Sequence, residues 1–84
     1  MIQFVESNNS LQATFTFKDF KEAFAFMTEV AFHAEVQAHH PNWHNVYNKV
    51  DITLSTHDAG NVVTKKDYKL AESIIKAYQK WTED

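Results

Sequence analysis

The chain has 84 residues, room for one small hydrophobic core and not for two. At 44% hydrophobic and 23% charged residues it is too apolar for a disordered chain, and its net charge of −3 argues against direct nucleic-acid binding, which needs a basic face. With no cysteine it has no disulfide framework, no thiolate nucleophile and no Cys-ligated zinc or iron–sulfur site.

The first residues show no basic region followed by an apolar stretch, and no apolar run approaches the roughly 18 residues of a membrane span, so a cytoplasmic chain without a membrane partner is expected. Residues 2–6 read as a short strand, and Ser7, Asn8, Asn9 and Ser10 as a turn. Residues 11–17 alternate, with Leu11, Ala13, Phe15 and Phe17 on one face, so the pair reads as a hairpin. Asp19 followed by Glu22 resembles a capping box. The period then becomes helical: Phe20, Ala23, Phe24, Met27, Val30, Ala31 and Ala34 share a stripe, with Phe26, Phe32 and Val36 outside it. The helix must stop before Pro41, which leaves His39 and His40 at its C-terminal end.

Residues 43–55 return to period two, with Val46, Val50, Ile52 and Leu54 on one face. The run is long for one strand and is expected to bend near Asn48. Residues 56–61, with Gly60, form a loop. Thr64 and Asp67 make a second box-like start, followed by a stripe of Tyr68, Ala71, Ile74, Ile75, Tyr78 and Trp81. These elements predict an α+β domain of two layers over residues 1–84, with both helices on one face of an antiparallel sheet.

Four of the five histidines fall between His39 and His57. For His39 and His40 there are two readings. Histidine near a helix C-terminus interacts with the dipole and bonds the last carbonyls. Alternatively, Pro41 fixes the backbone so that both rings enter a cleft, where an imidazole with an ordinary pKa of about 6.5 exchanges protons. His57 follows a strand and opens a loop, a position suited to chemistry, but taken alone it reads as a surface histidine beside Asp58. His33 and His44 read as surface residues. Pro41 prevents His40 and His44 from forming a helical ligand pair, so no metal is expected. Trp43 and Tyr47 are either core or the flat wall of a pocket for a planar ring.

The run from Glu35 through His39, His40, Pro41, Trp43 and Tyr47 to Thr56, His57 and Asp58, with Asp67 beyond it, resembles the pterin-4a-carbinolamine dehydratases. The likeness covers residues 14–75 and rests on Glu35, His39-His40-Pro41, Tyr47, His57 and Asp67 at the family's spacing, with the interval from His57 to Asp67 longer by one residue than in some members. It implies a ββαββα fold, so residues 43–55 become two strands of a four-stranded sheet. It implies dehydration of 4a-hydroxytetrahydropterin to quinonoid dihydropterin without a cofactor, in tetrahydropterin recycling linked to aromatic amino-acid hydroxylases. His39, His40 and His57 are the catalytic set it implies, with Glu35, Pro41, Trp43, Thr56 and Asp67 around the pterin. Within that set His39 and His57 are expected to face each other as acid and base, His40 to hold the pterin, and Glu35 to orient His39. Longer members carry an extra N-terminal helix that this chain, beginning close to its first strand, is expected to lack. The resemblance also implies a homodimer or homotetramer. Two other readings stand beside the enzyme: a dimerisation or transcriptional coactivator module on the same fold, and a molybdopterin-linked pterin-handling protein.

Overall fold

Two asparagines set the first hairpin. In the computed structural model, which describes residues 4–82, β1 (Val5–Ser7) and β2 (Ser10–Thr16) are joined through Asn8 and Asn9 at φ 54° and 62°. Two successive left-handed residues make the turn whose twist matches that of paired strands, and asparagine accepts that conformation better than most residues. Ile2, placed in the first strand by its sequence, lies outside the described residues.

Helix α1 (Phe20–Gln37) starts where the capping signal lies: the Glu22 amide donates to Asp19 Oδ1 at 3.0 Å. Its buried face is Ala23, Phe26, Val30 and Ala34, rotated from the expected stripe. Phe26 is wholly buried, whereas Phe20 and Phe24 are about half exposed, at 47% and 54%. Apolar residues occupy most of this helix's circumference, so periodicity alone does not fix the inward face. Aromatic packing fixes it: the Phe26 ring sits 4.9 Å from Phe17, 5.2 Å from Phe15 and 6.0 Å from Tyr78 between centroids. Truncating so enclosed a ring costs about 3–5 kcal/mol.

The helix ends in a Schellman motif. Ala38 is left-handed at φ 54°, its amide donates to the Glu35 carbonyl at 3.1 Å, and the His39 amide donates to the Ala34 carbonyl at 3.0 Å.

Strands β3 (Asn42–Val46) and β4 (Lys49–Leu54) are joined through Tyr47 and Asn48. That turn changes the phase of the alternation. Val46 pairs with Lys49, and both sit on the outer face, while Trp43 pairs with Ile52 on the inner one. Val46 is therefore 59% exposed rather than inward with Val50, and Tyr47 stands exposed at the turn. The sheet order is β1-β2-β4-β3, with every pairing antiparallel.

Helix α2 (Lys65–Thr82) packs beside α1 on the inner face. Leu70, Ala71, Ile74 and Ala77 join Phe15, Phe26, Ile52 and Leu54 in one core. Tyr68, expected in that stripe, is exposed and donates its hydroxyl to Glu6 at 3.1 Å. The chain is thus an α+β, two-layer ββαββα domain with both helices on one face of a four-stranded antiparallel sheet. Among the described residues, no helix is long and apolar enough to cross a membrane.

Candidate active site

The ends of three secondary-structure elements converge on one cleft. The end of α1 supplies Ala38, His39 and His40; the end of β4 and the 3₁₀ turn after it supply Ser55, Thr56, His57 and Asp58; the start of α2 supplies Lys66. The cleft encloses about 570 Å³ of empty space counted out to open solvent.

The left-handed Ala38 turns the chain so that His39 folds under the helix end. Its Nε2 lies 2.6 Å from Oδ1 of Asp67, which is fully buried. The other oxygen, Oδ2, accepts the Thr56 hydroxyl at 2.8 Å and the Thr64 amide at 2.8 Å. The Thr64 hydroxyl meets that of Thr56 at 2.5 Å. Burial pushes the Asp67 carboxyl up, but the hydrogen bonds from His39, Thr64 and Thr56 and the His39 charge outweigh it. The carboxyl is held below the usual aspartate range. An ionised carboxylate only accepts hydrogen bonds, so Nε2 of His39 carries a proton and Nδ1 is the exchangeable position.

The other two rings have different partners. Nε2 of His40 bonds Oε2 of Glu35 at 2.7 Å in an exposed pair. Nδ1 of His57 bonds Oδ1 of Asn61 at 3.1 Å. Glu35 therefore orients His40 and not His39, a correction to the reading that put it behind His39. The cause is the Schellman turn, which carries His39 away from its own helix toward α2. The same turn answers the capping reading: backbone amides take the last α1 carbonyls, and neither ring bonds them.

The structure brings His39, His40, His57 and Thr56 together along the cleft, with Asp67 behind His39 and Glu35 behind His40. Pro41 and Trp43 are not among its lining residues; Trp43 instead borders an apolar groove with Phe24, Met27 and Ala31. His44 is exposed opposite Asp51 on the outer face of the sheet, and His33 sits 3.5 Å from Glu29. Thr64 and Asn61 hold site residues in place, yet the sequence marked them only as a helix start and a loop residue. Among the described residues, no group of three or more His, Asp or Glu converges as metal ligands.

The sequence profile of the family described as "Pterin 4 alpha carbinolamine dehydratase" matches residues 3–77. A protein of Christiangramia forsetii is 56% identical over 68 residues, covering 81% of this chain and 69% of its own length. One of Rhizobium meliloti is 57% identical over 72 residues, covering 86% and 68%. Both are provisionally named pterin-4-alpha-carbinolamine dehydratase. The crystal structure of a "transcriptional coactivator/pterin dehydratase" from Brucella melitensis superposes with a TM-score of 0.88 at 39% identity, over 93% of this chain and 84% of that one. A pterin dehydratase-like protein identified as a RuBisCO assembly factor shares the fold at a TM-score of 0.72 and 21% identity, over 89% and 86%. With a profile match across nearly its whole length and relatives above half identity, the chain belongs to the pterin-4a-carbinolamine dehydratase family.

Proposed function

We propose that the chain dehydrates 4a-hydroxytetrahydropterins to quinonoid dihydropterins in this cleft, with histidines as general acid and base. The observation that carries the reading is the convergence of His39, His40 and His57 on one cleft, each with a side-chain partner on its ring. In the reaction the bond from C4a to the hydroxyl oxygen breaks, N5 loses its proton, and a double bond forms between N5 and C4a. One proton enters the departing water and one leaves N5, so a donor and an acceptor near neutral pH suffice.

The hydrogen bonds suggest the division of labour. His57 has its Nδ1 engaged by a neutral amide oxygen, so Nε2 offers a lone pair for the N5 proton. His39 hands a proton from Nδ1 to the hydroxyl, and the Asp67 carboxylate balances the ring's charge while both nitrogens are protonated. His40, tethered to Glu35 at the rim, contacts the pterin. Tetrahydropterin recycling in the cytoplasm is the setting we propose for this activity.

We also propose that the chain self-associates. Phe20 and Phe24, with ring centroids 5.7 Å apart, lie exposed on α1 together with Phe32 and Val36, which are 70% and 85% exposed. Large apolar side chains left this exposed favour a partner over water.

The deciding experiment is a dehydratase assay on synthetic 4a-carbinolamine. Turnover well above the spontaneous rate at catalytic enzyme concentration is expected. A rate equal to buffer, even with stoichiometric protein, would reject the enzyme reading in favour of an interaction module.

A further inference from the structure

We infer that Asn61 is the positioning residue of His57, holding the ring in the tautomer with its proton on Nδ1 and its lone pair on Nε2. His57 is exposed in a single 3₁₀ turn, so nothing in the surrounding packing fixes its ring. The Asn61 side chain supplies the restraint, with Oδ1 at 3.1 Å from Nδ1. An amide oxygen only accepts, so the nitrogen facing it must carry the proton.

Asn61 is itself anchored. Its amide donates to the Thr56 carbonyl at 3.0 Å, the Thr56 amide donates to the Val62 carbonyl at 2.9 Å, and the Gly60 amide donates to the His57 carbonyl at 3.0 Å. Thr56 is buried and tied to Asp67, so the loop closes on a rigid point. Asn61 occupies the left-handed region at φ 61°, where glycine would fit with less strain. Glycine there would satisfy the backbone and offer no acceptor. The side chain is what this position gains over glycine, and the ring of His57 is what it meets.

The restraint is neutral, unlike the Asp67 carboxylate behind His39. The charged or titratable groups lining the cleft with His57 are Asp58, Lys66, His39 and His40. The histidines paired in the proposed chemistry thus differ in kind: one is backed by a buried charge and one by an uncharged acceptor.

The catalytic consequence rests on the dehydratase reading; the tautomer does not, and the test separates them. Long-range ¹H–¹⁵N spectra of ¹⁵N-histidine-labelled, substrate-free protein report which nitrogen of His57 is protonated. The Nδ1–H form is expected in the wild type. Asn61→Gly keeps the backbone conformation and should move His57 to the mixture dominated by Nε2–H that a free imidazole adopts. Its melting temperature should be unchanged or higher. Its kcat should fall about 3–10-fold with KM within about twofold. Asn61→Asp retains the acceptor and should restore the Nδ1–H form. A wild-type ring protonated on Nε2, or a tautomer unmoved in Asn61→Gly, would overturn the assignment. A shifted tautomer with unchanged kcat would overturn its catalytic consequence. A wild-type protein without dehydratase activity would overturn the enzyme reading while the spectra still decide the role of Asn61.

Discussion

Asp67 Oδ1 lies 2.6 Å from His39 Nε2 in a fully buried contact that joins residues 28 apart in sequence. It fixes which nitrogen of His39 faces the carboxylate, and it ties the start of α2 to the end of α1. The other carboxylate oxygen closes the capping box at Thr64.

Asp67→Asn should therefore lose activity and stability together. An amide cannot accept on both sides as the carboxylate does, so kcat should fall roughly tenfold or more. Unfolding should become easier by about 1–3 kcal/mol, the cost of an unsatisfied buried partner. The pH dependence has a definite sign. The folded pKa of Asp67 is depressed, so its contribution is fully present above the unfolded value of about 3.9 and is lost as pH falls through the folded one. Urea unfolding across a pH series should show the gap between wild type and Asp67→Asn persisting above about pH 4 and closing below it.

Single replacements separate catalysis from structure at the histidines. His39→Ala and His57→Ala should each lower kcat by roughly 10²-fold or more, the ordinary worth of a general acid or base. His40→Ala should act mainly on KM. His44→Ala, on the far face of the sheet, should be silent. Steady-state kinetics on all four, with melting temperatures, provides the check; normal turnover in folded His39→Ala and His57→Ala would remove the catalytic assignment.

Ala38 offers a stability prediction independent of function. It sits at φ 54°, where a Cβ is disfavoured by roughly 1–2 kcal/mol. Ala38→Gly should relieve that strain and stabilise the chain by about 0.5–1 kcal/mol after the greater flexibility of unfolded glycine is offset. A lower denaturation midpoint would contradict the cap assignment.

Sedimentation at micromolar concentration tests self-association. Species at two or four times the chain mass of 9.8 kDa are expected. A single species at the monomer mass would show that the exposed phenylalanines of α1 need no partner.

What the sequence disclosed followed local rules. The turn at Asn8 and Asn9, the Asp19 cap and the stop before Pro41 are written in neighbouring residues, and the structure places them there. The inward face of α1 was not legible, because its apolar residues run most of the way round the helix and only the aromatic packing of the sheet selects Phe26. Val46 was misplaced because a two-residue turn inverts the alternation, which a continuous pattern hides. For the site, the histidines declared themselves by spacing, while their partners did not. Glu35 stands a helical turn from His39 in sequence, yet a left-handed Ala38 sends that ring to Asp67 instead. Thr64 and Asn61 carry no sequence mark beyond a cap and a loop, and their roles depend on how the chain closes around Thr56.

Because one carboxylate both caps α2 and holds His39, fraying of the first turn of α2 and release of the His39 ring are a single event. Helix ends open far more often than helix centres. The amides around Thr64 and Asp67 thus report on the site: their hydrogen-exchange rate measures how often the cleft disassembles. Warming should silence the cleft through this one turn while the core around Phe15 and Phe26 is still folded.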